Sequence, residues 1–449
     1  MDDLKTFRRT QSFFKFYLTS IFIIFTILCV FFFIFYYKER IPSYMEVGRL
    51  LLSFNYAIMI ILSFKILDHY KLCFLAVISF LSCVLIMKYL YHVSGLDTFG
   101  EAIDSHYYYS VTMHNGHKKL FDFFNSMPYD LRINTADYGY YSILYFLYQI
   151  NPNLEWLIYG VIFINSVCLF VTGIFMYKIQ LLLGCNKDTS KTIMILFIST
   201  PYIAMIAING LKEIIFITII MVSFYRILLV QQQKGFINVF KALIGIAACF
   251  LFRTAVAYFL LISLFVAITL TEYNKVAFLV VMFIVILFFN TILPFALEHL
   301  LGVSIENVSY TTNYRIRHAD RSSSLYSKVL PIMSSIIGPF PNLDRTGKFS
   351  FIYSLTIFMK NCYTFFFLYG TIQIIRKQLI NWYPIIVYIF ITMSMLNVGG
   401  VSLDLRYHTT YLPLFFVVVS KFFTKKKTLC YLSIFVFIIL IYIYSTRRL

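Results

Sequence analysis

The feature that most constrains this chain is a succession of apolar runs too long and too frequent for a soluble core. They fall at about 16–37, 48–64, 72–91, 138–150, 156–177, 192–208, 214–230, 239–252, 254–271, 276–293, 351–374, 382–398, 409–420 and 428–445. A helix needs about 20 mostly apolar residues to cross a bilayer, fewer when the hydrocarbon is thinned. Within lipid every backbone polar group must be satisfied inside the segment, which leaves helices or closed barrels. The runs lack the strict alternation of a barrel. The expected fold is therefore all-α, a polytopic transmembrane bundle of about 11–14 spans forming a single integral membrane domain over 1–449. Only 13% of residues are charged, against about 25% in soluble domains.

Lys and Arg total 38 and Asp and Glu 20, a net charge of +18. In a soluble protein such a surplus would point to nucleic acid. In a polytopic chain it points first to cytoplasmic loops. The basic segments are the N-terminus, 65–71, 178–191, 226–241, 376–377 and 421–427. Placing them in the cytoplasm puts 92–137, 209–213, the Arg253 turn, 294–350 and 399–408 on the opposite side. The run 138–150 then dips in without crossing, or crosses as a short tilted helix. Lys5, Arg8, Arg9 and Lys15 precede the first run without an evident cleavage site, so that run is expected to stay as a first span with a cytoplasmic N-terminus. The eight cysteines contain no CxxC pair and no zinc spacing, which argues against disulfides and structural metal.

Two long outer segments carry the candidate chemistry. The acidic loop 92–137 holds Asp97, Glu101, Asp104, Asp122, Asp130 and Asp137, with His106 and Tyr108 between them. On a helix over 101–115, Glu101, Asp104 and Tyr108 share a face. Asp104 is the preferred general base, because proton abstraction from a hydroxyl needs a carboxylate or histidine within hydrogen-bond reach. The plain alternative is a solvated loop whose acids offset nearby lysines. The basic loop 294–350 holds Arg315, Arg317 and Arg321, on the side where topology does not demand them. They could draw in an anionic lipid-linked substrate or simply bind headgroups.

Three shorter features add charge between apolar runs. Lys212 and Glu213 form a pair in the turn Asn209–Gly210–Leu211–Lys212–Glu213. Ionisable residues at membrane depth point to function, although a polar helix cap is the bland reading. Arg253 stands alone in 239–271, and its planar fork suits a phosphate. Arg406 and His408 lie in Asp404–Leu405–Arg406–Tyr407–His408, before a late helix. A divalent cation between Asp104 and Glu213 is a possibility that spacing does not establish. His114 and His117 are a weak match to a metal pair.

The order of these features resembles the GT-C superfamily of membrane glycosyltransferases. The matching stretches are Asp104–Ser105–His106–Tyr107–Tyr108, Asp137–Tyr138–Gly139–Tyr140–Tyr141, Leu211–Lys212–Glu213, Gly338–Pro339–Phe340–Pro341 and Arg406–Tyr407–His408, spread over about 72–420. Size and the lack of a soluble domain look most like a bacterial O-antigen or capsule repeat-unit polymerase. The resemblance implies a glycosyltransferase of the bacterial inner membrane, acting at the periplasmic face on undecaprenyl-diphosphate-linked oligosaccharide. It implies Asp104 as catalytic base, assisted by Glu213. Lys212, Arg253, Arg315, Arg317, Arg321 and Arg406 would bind phosphate. Glu101, His106, Tyr108, Asp137 and His408 would contact substrate. Its partners would be the lipid-linked sugar, the bilayer, a chain-length regulator and a flippase, with no nucleic acid and no nucleotide sugar. Two alternatives stay open: a transferase that decorates a glycan from undecaprenyl-phosphate sugar, and a lipid-linked oligosaccharide flippase or transporter.

Overall fold

A computed structural model describes residues 68–93, 102–126, 137–233, 236–269, 350–398 and 405–423, with single positions at 336, 432 and 435. The described residues are mostly helical and contain no strand. The helices are α1 (His69–Val93), α2 (Ala102–Asn115), α3 (Leu120–Asn125), α4 (Tyr138–Ile150), α5 (Leu154–Leu182), α6 (Lys187–Ile198) and α7 (Pro201–Ile208). They continue with α8 (Glu213–Gln233), α9 (Phe236–Phe250), α10 (Thr254–Thr269), α11 (Ser350–Arg376), α12 (Tyr383–Val398), α13 (Leu405–His408) and α14 (Leu412–Phe422). The expected runs at 16–37, 48–64 and 276–293, and nearly all of 428–445, lie outside the described residues, as does nearly all of the basic loop.

Among the described residues two helices, α5 and α8, are long and apolar enough to cross a membrane, and the bent pair α6–α7 makes a third if it counts as one span. Helix α8 is the hub. It packs against α5, α9 and α10, and most of its side chains are buried, down to Gln231. Helices α6, α7 and α14 close the other side of the bundle. A helix apolar all round belongs inside a core, and α8 fits that description.

Helix α5 gives the scale. Trp156 and Tyr159 are exposed near its start, where amphipathic rings favour a membrane interface, and Lys178 stands near its end. From Tyr159 to Lys178 is about 28 Å at 1.5 Å per residue, close to the roughly 30 Å of hydrocarbon.

The apolar run 192–208 is not one straight helix. It breaks at Ser199–Thr200 and turns by 53° into α7. Pro201 has no N–H and cannot continue a helix from its N-terminal side, but it fits the first position of a new one. Tyr202 N, freed by the break, donates to Thr356 Oγ1 of α11 at 3.0 Å. The segment 92–137, expected as a loop that could hold a helix over 101–115, carries α2 and α3 among its described residues, and α2 packs on α4. The short run 138–150 is the single helix α4.

Candidate functional site

The turn between α7 and α8 is held on several sides. Asn165 Nδ2 of α5 donates to Ala207 O at 3.2 Å and Leu211 O at 3.1 Å. Lys88 Nζ of α1 donates to Ile208 O at 3.3 Å, and Tyr140 Oη of α4 donates to Gly210 O. Three helices thus satisfy carbonyls that a buried turn would otherwise leave bare. Gly210 sits at φ 65°, where a side chain is strained, and a Cβ there would collide with Tyr109 Oη. Asn165 lies six residues past Tyr159, so the turn is about 9 Å along α5 from that exposed ring.

This turn presents Lys212 and Glu213 to charges from distant parts of the chain. Lys212 Nζ forms an ion pair with Asp137 Oδ1, and Asp137 Oδ2 accepts from Tyr108 Oη at 3.2 Å. The Lys212 ammonium also lies 5.5 Å from the centre of the Tyr108 ring, within cation–π range. Glu213 is 1% exposed. Its Oε1 accepts from Arg406 Nε at 2.6 Å and lies 3.5 Å from Arg253 Nη2. The Arg253 guanidinium stacks over Tyr407 at 4.9 Å. Glu213 Oε2 is buried with no hydrogen-bond partner among the described residues.

The starts of three helices meet here, beside the short α13. Asp137 stands at the N-cap position of α4, Glu213 opens α8, Arg253 precedes α10, and Arg406 lies in α13. Gly139 N donates to Leu251 O at 2.8 Å, which ties α4 to the turn before α10. Only glycine permits that approach, because a Cβ at 139 would meet the Phe252 ring at 2.5 Å. Each helix start carries a partial positive charge, so the place favours an anion beyond what its side chains supply. Among the described residues, three cationic side chains, Lys212, Arg253 and Arg406, stand against two carboxylates, Asp137 and Glu213.

The described residues place the other expected site residues as follows. Tyr108 and Asp137 belong to the cluster. His106 is exposed on α2. His408 is buried on the adjoining α13, and its Nδ1 lies 2.9 Å from Lys360 Nζ and 2.7 Å from Tyr411 Oη. Asp104 is the third residue of α2 by backbone position. Glu101, Arg315, Arg317 and Arg321 lie outside the described residues. Among the described residues, no three His, Cys, Asp or Glu side chains gather as a metal site. The immediate neighbours of Glu213 are guanidinium groups, which repel a further cation, so its donor set does not fit a divalent ion.

Sequence reasoning passed over Lys88, Lys360 and Asn165. Each interrupts an apolar run, Lys88 and Lys360 as its one charged residue, and that rarity is itself a usable signal. Comparison with family models, with characterised proteins and with solved structures gives no match.

Proposed function

We propose that this membrane protein is a glycosyltransferase of the bacterial cytoplasmic membrane, acting at its outer face on a sugar chain carried by undecaprenyl diphosphate. The observation that carries the reading is the buried cluster at the α7–α8 turn, where cations exceed carboxylates among the described residues beside three helix starts. Such a site suits a phosphate drawn below the interface on a lipid anchor. Soluble nucleotide sugars would have no reason to enter at that depth.

In this reading the acceptor hydroxyl loses its proton to Asp104, and its oxygen attacks the anomeric carbon of the donor. The bond from that carbon to the phosphate oxygen breaks, and the diphosphate leaves with the electron pair. Lys212, Arg253 and Arg406 stabilise the charge that appears there. The Arg315, Arg317 and Arg321 group recruits the anionic lipid. Glu213 accepts from one guanidinium group and lies within ion-pair distance of the second, so its part is to orient them. Asp137 does the same for Lys212, and Tyr108 fixes Asp137. Joining whole repeat units, as an O-antigen or capsule polymerase does, is the specific activity proposed.

The test replaces Asp104, Arg253 and Arg406 singly by Ala in the native host and resolves surface polysaccharide on a gel. Collapse to single repeat units is expected. Chains of full length but altered composition would instead identify a decorating transferase. An intact ladder in all three variants rejects the site.

A transporter is the second reading, favoured by the 53° break between α6 and α7. Discontinuous helices near the bilayer midplane line substrate sites in many transporters. Movement of labelled lipid-linked sugar across a vesicle membrane without a new glycosidic bond would select it.

A further inference from the structure

Lys88 lies toward the end of α1, inside an apolar run, and is half-buried. Its ammonium reaches the α7–α8 turn and donates to Ile208 O at 3.3 Å. An ammonium has three donors. The other two have no partner among the described residues. Lysine at membrane depth is expensive, and one hydrogen bond to a carbonyl is a small return for it. Ile208 O stands at one end of the turn and Lys212 at the other, so Lys88 and Lys212 bracket the turn that opens α8.

The charges around the turn now have a different sum. Lys88, Lys212, Arg253 and Arg406 stand against Asp137 and Glu213, a surplus of two positive charges (four against two) among the described side chains. Lys360 is left out because it is fully buried and engaged with His408. A lipid-linked sugar on one phosphate carries one negative charge, and one on a diphosphate carries two. Counting the described groups that would face the phosphates, and not Asp104, which serves the acceptor hydroxyl, the site without Lys88 balances a monophosphate and with it a diphosphate.

We propose that Lys88 is a phosphate-binding residue of this site and the one that makes it prefer a diphosphate over a monophosphate. The inference rests on the reading of the cluster as a lipid-phosphate site and names a residue and a selectivity that the reading leaves open. The ammonium turns from Ile208 O toward the second phosphoryl group, while Lys212, Arg253 and Arg406 hold the first. A lysine that only caps the carbonyl end of α7 would do neither.

The experiment measures binding of the methyl esters of farnesyl monophosphate and farnesyl diphosphate, which carry one and two negative charges as the lipid-linked sugars do, to the full-length protein in detergent. Wild type is expected to bind the diphosphate about tenfold tighter or more, the worth of one charge-assisted contact. Lys88→Met is expected to abolish that ratio and leave monophosphate affinity near wild type, and Lys88→Arg to keep the ratio. Lys88→Gln, which retains a donor for Ile208 O, replaces Lys88→Met if the latter does not fold, with the same expectation. A wild-type protein without preference overturns the proposal. So does a neutral variant that keeps the full ratio or weakens both ligands equally, as a cap-only lysine would. Arg253→Ala and Arg406→Ala are expected to weaken both ligands. If neither ligand responds to those two changes, the lipid-phosphate reading fails instead.

Discussion

Replacing Arg406 by Ala removes the closer of the two cations that face Glu213. The carboxylate is 1% exposed and its Oε1 lies 2.6 Å from Arg406 Nε. Breaking a buried ion pair from one side costs about 3–5 kcal/mol, because the remaining charge stays buried without its partner. Arg253 still stands 3.5 Å from the same oxygen, so the loss is expected at the lower end, about 3 kcal/mol. Reversible unfolding in mixed detergent, followed by helical signal, measures it. The decisive arm is the double variant Glu213→Gln with Arg406→Ala. With the carboxylate neutralised no buried charge is stranded there, and Arg253, about one-fifth exposed, can still reach water, so at least half the stability should return. An Arg406→Ala loss below about 1 kcal/mol, or a double variant as unstable as the sum of the singles, would refute the ion-pair account.

Other consequences follow from the same geometry. Gly210→Ala combines a left-handed backbone, about 1–2 kcal/mol for an L residue, with a collision against Tyr109 Oη. It should lower the melting temperature more than Gly184→Ala, where φ is 71° but the nearest atom is Lys421 Nζ at 3.4 Å. Asn165→Ala strips donors from the Ala207 and Leu211 carbonyls and should cost about 2 kcal/mol in the same unfolding assay. Cys185, in the loop after α5, has its thiol pushed up to about 11 by burial. Folded protein should therefore resist maleimide at that residue between pH 7 and 9, where a free thiol near 8.5 becomes steadily more reactive, and should label once unfolded.

The membrane character of the chain was legible because hydrophobicity over 20 residues is a local property. The turns at Asn209–Glu213 and Arg253 were legible for the same reason, as polar interruptions between apolar runs. The break of 192–208 had a signal, Pro201, that the hydropathy of the run conceals. The pairings were not legible. Asp137 finds Lys212 across 75 positions and Glu213 finds Arg406 across 193, and no local pattern encodes which loops converge. The acidic loop was read through its carboxylate count, which favoured Asp104. The carboxylate of that loop that meets the cluster through a described side chain is Asp137, at the loop's far end, where α4 begins against the turn. Lys88 escaped because a single lysine barely lowers the mean hydropathy of a run.

The most direct test of the central claim uses purified protein in liposomes, supplied with undecaprenyl-diphosphate-linked oligosaccharide and followed by mass spectrometry of the lipid-linked products. Glycan lengthened by whole repeat units, with undecaprenyl diphosphate released and the activity lost in Arg253→Ala and Arg406→Ala, is the predicted result. Substrate that stays at one repeat, or that only changes leaflet, would contradict it.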